Sequence, residues 1–208
     1  VNSIGLLSSL SANSTGALAT DAAKSLAATL GSVTSTIFVT PSAAASNNSS
    51  SESKQLATQI AEAANTLALA ILGDKVPGEQ PTIISSPGIS IGSAVYSPTG
   101  DAPVTFTFGS NGVPAVSLPT DLLSSVFQQA RSMKKKKKQR AGVGNPKDTN
   151  VGVVAVSYDG NPYSYAASSK NVTSTVFSVG VFDLASSSEI KLTNLSTPLE
   201  FTLGGTFT

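Results

Sequence analysis

The 208-residue chain has no cysteine, no histidine and no tryptophan, and a single methionine. The missing cysteines exclude disulfides and thiolate metal sites, and say nothing decisive about compartment. With histidine absent as well, the common zinc and iron ligand sets, Ser-His-Asp triads and Cys-His dyads are impossible within this chain. Charge is scarce too. Charged residues make up 12% and the net charge is +1, so no overall field argues for nucleic acid or a membrane surface. No segment approaches the roughly 18 to 20 consecutive apolar residues that span a bilayer. Val1–Leu10 lacks the basic start and long apolar run of a signal peptide. The start at Val1 leads us to expect a fragment or a processed product, with any leader or anchor outside it.

What the chain has in abundance is Ser and Thr, about a quarter of all residues. Its first 73 residues are helical in character. Ile4, Leu7 and Leu10 suggest a short leading helix. Leu26, Leu30, Val33 and Ile37 recur at spacings of four, three and four, extended upstream by Leu18 and Ala22, and Pro41 ends the pattern. Ser42–Lys54 is a polar loop in which Ser49 and Glu52 have capping-box spacing. A further helix follows through Leu56, Ile60, Ala63, Ala64, Leu67 and Ile71 to Gly73, a C-cap residue. Each helix carries only a narrow apolar stripe, so these helices must pack on something to persist.

The texture changes at Gly73–Pro81. Short β-like runs follow at Thr82–Ser85, Ile89–Tyr96, Val104–Phe108, Val113–Leu118 and Val151–Tyr158, separated by Gly and Pro. Pro119–Met133 interrupts them with a helical stripe of Leu122, Leu123, Val126, Phe127 and Ala130, with Thr120 at the cap position and Asp121 in the first turn. The last third alternates strictly. Phe177, Val179 and Val181 share one face of a strand, as do Ile190 and Leu192 in the next, and Leu199, Phe201 and Leu203 in the last. Period two predicts half-buried antiparallel strands, one face in a core and one in water. The expected fold is therefore α+β: a helical subdomain over 1–76, then an antiparallel β-sandwich over 77–208 with one inserted helix.

Few residues suggest chemistry. Arg131, Lys134, Lys135, Lys136, Lys137, Lys138 and Arg140 hold seven of the thirteen basic residues. They suggest a polyanion contact, but adjacent like charges repel and extend, so 130–150 is expected to be a flexible basic loop. No aromatic residue interleaves with the lysines, which argues against nucleic acid. Asn13, Asn47, Asn48, Asn171 and Asn194 begin Asn-x-Ser/Thr triplets and are candidates for glycosylation in a secreted parent. Gly109–Gly112 (GSNG) reads as a hairpin turn. Asp159-Gly160-Asn161-Pro162 reads as a turn, since its spacing matches no calcium loop. Tyr158, Tyr163 and Tyr165 read as strand packing. A serine–lysine hydrolase would need Ser-x-x-Lys at a helix start with companion motifs, and Ser53-Lys54 is the nearest string on this reading. No catalytic, cofactor-binding or metal-binding residue is assigned, no cofactor is expected, and the chain is not expected to be an enzyme.

The helix-then-sandwich layout, LPTDLL (Leu118–Leu123), PTIISSPGISI (Pro81–Ile91) and SVGVFDLASSSEIKLTNLSTPLEFTL (Ser178–Leu203) together resemble a GAIN domain. These are juxtamembrane extracellular domains of adhesion receptors and polycystin-1-like proteins. The pattern Ile-x-Leu-x-Asn-Leu-Ser-x-Pro-Leu (Ile190–Leu199) looks more like the polycystin-1 side. Members usually end in a proteolysis-site motif with Cys, Trp and His-Leu-Ser/Thr. This sequence has no Cys, Trp or His, so no catalytic position carries over. The resemblance implies a non-enzymatic scaffold or adhesion domain, extracellular and tethered to a membrane through a segment outside this chain. Its implied partners are its own membrane-anchored C-terminal part or an extracellular assembly, with glycans possible and no nucleic acid. Two other classes stay open: an assembly module of a secreted glycoprotein filament or cell wall, and a polyanion- or carbohydrate-binding module using the lysine run.

Overall fold

The computed structural model describes residues 20–36, 50–96, 103–108, 114–141, 150–163, 175–184, 188–192 and 197–203. Two helices come first, α1 (Thr20–Thr34) and α2 (Ser50–Leu72). Strands β1 (Thr82–Ser86), β2 (Ile89–Tyr96), β3 (Val104–Thr107) and β4 (Ala115–Leu118) follow, then helix α3 (Thr120–Ala141). The chain continues through β5 (Val151–Tyr158), β6 (Val176–Asp183), β7 (Ser188–Glu189) and β8 (Glu200–Thr202). The leading helix expected at Ile4–Leu10 lies outside the described residues. Among the described residues no helix is long and apolar enough to cross a membrane.

The strands form two antiparallel sheets. One has the order β1-β2-β5-β6-β7, the other β3-β4-β8. The β3–β4 hairpin and α3 are inserted between β2 and β5, which are neighbours in the larger sheet with Ile89 opposite Tyr158 and Tyr96 opposite Val151. The architecture matches the expected helical part followed by a sandwich with one inserted helix. The GSNG turn lies outside the described residues, but β3 and β4 pair on either side of it, from Val104 opposite Leu118 to Thr107 opposite Ala115.

Two cores lie on opposite faces of the larger sheet. In the first, Ile89, Ile91, Val95, Val154, Val156 and Tyr158 meet α1 and α2. In the second, Ala94, Tyr96, Val151, Val153, Ala155 and Val181 meet the smaller sheet and the first half of α3. Every residue of β5 is buried, and of β2 all but Ser90. The one-wet-face expectation, stated for the last third, is corrected at β6, which has no exposed residue and buries Phe182 in the first core. Strands β2 and β5 are likewise covered on both faces. Val151–Tyr158 carried the sign of this in its sequence, because Ser157 is its only polar side chain, and strands covered on both faces read as nearly unbroken apolar runs.

The helices meet the sheet through a mixture of small and large apolar residues. On α2 the predicted stripe is the buried one, with Ile60, Ala64, Leu67 and Ile71 inside. On α1 the face is turned from the prediction: Ala23, Ala27, Leu30 and Thr34 are buried, Leu26 and Val33 are half-buried, and Ala22 is exposed. Alanine lets the helix backbone approach the sheet closely, so the smallest side chains take the central position and the larger ones flank it. Buried Thr34 donates its hydroxyl to the Leu30 carbonyl at 2.8 Å. Buried Ser93 of β2 donates to the Ala68 carbonyl of α2 at 3.1 Å, so a polar side chain joins helix and sheet without being left unpaired.

Across the sandwich, the fully buried Phe106 ring lies over Gly92 of β2. A Cβ at Gly92 would overlap that ring, so a glycine in the middle of a strand is explained by a close approach between the two sheets. The C-terminal strands are shorter than expected. Only Ser188–Glu189 pairs as β7, although Ile190 is buried and donates its N–H to the Val181 carbonyl at 2.7 Å. Replacing Phe106 by Ala should cost about 3–5 kcal/mol, the range for deleting a buried phenylalanine. The same change at Phe201, which is 46% exposed, should cost under about 1.5 kcal/mol. Urea unfolding of the two variants checks both, and equal losses would contradict an open position for Phe201.

Candidate interaction surface

Strand β8 is an edge strand of the smaller sheet and pairs with β4 over three positions: Ala115 opposite Thr202, Val116 opposite Phe201 and Ser117 opposite Glu200. Its residues are exposed, and so is Leu203 just beyond. The expectation that Phe201 and Leu203 fill the core is corrected; each keeps 46% of its surface in water. Leu199, on the same parity, is half-buried against the second core. The periodicity identified the shared face but could not show that this edge lacks full cover.

Phe201 is nevertheless tied to the interior. A row of rings runs from the core to the edge: Phe106 to Phe108 at 6.3 Å, Phe108 to Phe177 at 5.8 Å and Phe177 to Phe201 at 5.9 Å between centroids. Phe177 belongs to the larger sheet and Phe201 to the smaller, so the last pair joins the two sheets at their open side. Offset and tilted pairs at these distances are favourable beyond simple burial. The surface thus combines a strand edge, two exposed apolar side chains and an aromatic connection to the core. An edge of this kind offers unpaired backbone groups and apolar area to another chain.

The basic segment differs most from expectation. Instead of a loop over 130–150, helix α3 continues to Ala141. Its first half is anchored: Leu122, Leu123, Val126 and Phe127 are buried, Phe127 meets Tyr96 edge-on at 6.2 Å, and Tyr96 Oη and Ser124 Oγ share a hydrogen bond of 2.9 Å. Gln128 and Ser132 are exposed. Lys, Arg and Gln are good helix formers and no Gly or Pro intervenes before Gly142. A helix nucleated by the anchored half therefore propagates through Arg131, Lys134–Lys138 and Arg140 despite their repulsion. Residues 142–149 lie outside the described residues.

The turn at Asp159 acts as a clamp. Asp159 Oδ2 accepts the Gly88 N–H at 3.0 Å, and the Asp159 N–H donates to the Gly88 carbonyl at 3.2 Å. Gly88 has φ of 87°, which with Pro87 before it is the pattern of a type II turn joining β1 to β2. Asn161 Oδ1 accepts the Tyr163 N–H at 2.9 Å, an Asx turn. Among the described residues no group of three or more acidic side chains could hold a metal ion. Ser51-Glu52-Ser53-Lys54 has Ser-x-x-Lys spacing. It occupies the first turn of α2, where Ser51 and Lys54 are both exposed. The SDN and KTG companions of that motif are absent from the sequence. Tyr158 is buried in the first core, and burial pushes its hydroxyl well above the usual tyrosine range, with a smaller contribution from Tyr163. Tyr163 itself is 45% exposed. Tyr165 and the triplets at Asn13, Asn47, Asn48, Asn171 and Asn194 lie outside the described residues.

No family model matches the sequence, and no curated protein matches it. Among solved structures the chain is similar to the full extracellular region of zebrafish Gpr126/Adgrg6, with a TM-score of 0.52 at 13% identity over 85% of this chain. It spans 21% of that longer chain. The likeness is one of fold: most of this chain is built, distantly, like part of an adhesion-receptor extracellular region.

Asp159→Ala should cost about 1.5–3 kcal/mol, the usual worth of a hydrogen bond to a charged group, while calcium should leave the melting temperature of the native chain unchanged. Tyr158 holds its proton more tightly folded than unfolded. Stability from this group should therefore be constant below the unfolded value near pH 10 and fall above it. Denaturant titrations between pH 8 and 11 measure this, and Tyr158→Phe should flatten the decline.

Proposed function

We propose that this chain is a GAIN-like, non-enzymatic extracellular domain of a polycystin-1-like membrane protein, acting as a scaffold between extracellular contacts and a membrane-anchored segment. The observation that carries this reading is the fold likeness to an adhesion-receptor extracellular region over 85% of the chain. The motif resemblance over Ile190–Leu199 points to the polycystin-1 side. Strand β8 supplies a physical route. The last described strand is held by a three-position ladder to β4 and by the Phe177–Phe201 pair. Tension on either end would load the ladder and then the sheet behind it. Partners on this reading are the downstream part of the same protein or an extracellular assembly, and no catalytic step is involved.

The test is to express the full gene in its own cells, label surface proteins, and map glycopeptides by mass spectrometry. The expected result is surface labelling with N-linked sugar on Asn171 or on Asn47 or Asn48. An unlabelled, unglycosylated chain found inside the cell would overturn the reading.

A further inference from the structure

The second half of α3 concentrates charge in a way the scaffold reading does not use. Seven cations stand between Arg131 and Arg140, and no acidic residue occurs between Asp121 and Asp148. The chain has thirteen basic and twelve acidic residues. Outside this segment, six basic residues therefore face twelve acidic ones, so a segment of +7 is attached to a remainder of −6. Because the segment is helical, its nine residue steps span only about 14 Å.

One or two cations in a last turn would suffice to complement the helix dipole. Here the number goes far beyond that. The sequence repeats like charges at the helical spacings i,i+3 and i,i+4: Arg131 with Lys134 and Lys135, Lys134 with Lys137 and Lys138, Lys136 and Lys137 with Arg140. Each such pair disfavours the helix, and the sequence supplies no acidic residue at these spacings to relieve it. An external anion of high charge density would.

The composition narrows which anion. From Gln128 to Ala141 there is no aromatic residue to stack on a base and, apart from Met133, no large apolar residue to enter a bilayer. What remains is a run of cationic residues on a helix, a composition suited to a linear polymer of sulfate or phosphate groups. We propose that residues 131–140 form a helical arm that binds sulfated glycan, with Lys134–Lys138 supplying most of the attraction. The choice of sulfate over a phosphate polymer rests on the extracellular reading above. The acidic remainder of the chain would repel the same polymer and confine it to the arm.

The test titrates the whole 208-residue chain with a heparin dodecasaccharide at several salt concentrations. Five lysine contacts should give a slope of log K against log salt of about −4, and changing Lys134–Lys138 to Gln should weaken binding roughly 30-fold or more. Glutamine keeps the helix propensity, so the melting temperature of this variant without heparin should stay near native. A K24Q/K54Q control should bind within about twofold of native. Helical circular dichroism should increase on heparin addition to the native chain and not to the arm variant. Binding by the arm variant within threefold of native, or equal binding of desulfated heparin, would overturn the proposal. So would tighter binding of a single-stranded RNA of matched length. If the chain is glycosylated at the cell surface yet ignores heparin, the glycan inference fails alone. If it is intracellular and prefers RNA, the extracellular reading fails with it.

Discussion

The double burial of β2 and β5 is the constraint on which the rest of the structure depends. Backbone groups in these strands are satisfied by their neighbours in the sheet, while side chains leave alternately into two separate cores. Ile91 and Val156 serve the helical side; Ala94, Val153 and Ala155 serve the sandwich side. Neither cover can be removed without exposing half of each strand, and apolar surface on that scale would be costly. Helices α1 and α2 and the smaller sheet are therefore coupled through the same two strands. Ser93 and Gly92 show the coupling residue by residue. One reaches the Ala68 carbonyl of α2, and the next residue back makes room for Phe106 of β3.

Cover weakens toward the far side of the sandwich. Phe106 is fully buried, and the ring row through Phe108 and Phe177 ends on Phe201, nearly half of which is exposed. Packing thus passes gradually from a fixed core to a short edge strand. Elements with fewer buried contacts and a short ladder open at lower free energy than a central strand. On the proposed scaffold reading, load would open this edge, the chain's last described strand, before it reached the core.

The sequence carried the element types well and the burial less well. The α2 stripe, the face shared by Phe177, Val179 and Val181 in β6 and the β3–β4 pairing were visible because local period and turn residues determine them. What failed depends on partners distant in sequence. Periodicity puts Leu26 and Ala22 on a plausible apolar face of α1, but close approach to the sheet favours Ala23 and Ala27. Alternation puts Phe201 with Leu199, yet only the strand order shows that, among the described residues, β8 has no neighbour on its other side. Repulsion among Lys134–Lys138 argued for an extended loop. The local preference for a loop is a balance of small terms, and an anchored turn at Leu122–Phe127 removes the nucleation cost that made it win.

That last reversal separates the fold from the surface it carries. The residues that anchor α3 are apolar and belong to the second core, whereas the residues that extend it are mostly basic or polar. The extension is sustained by propensity and continuity and opposed by its own charge. Such a segment responds to its surroundings more than a buried helix does, because screening by salt or pairing with an anion changes the opposing term directly. The sandwich behind it is insensitive to those conditions, since its cohesion is apolar and its charged residues are few. On the proposed reading, a sulfated polymer would act on this two-core body through the basic helix alone, with no rearrangement of the sheets.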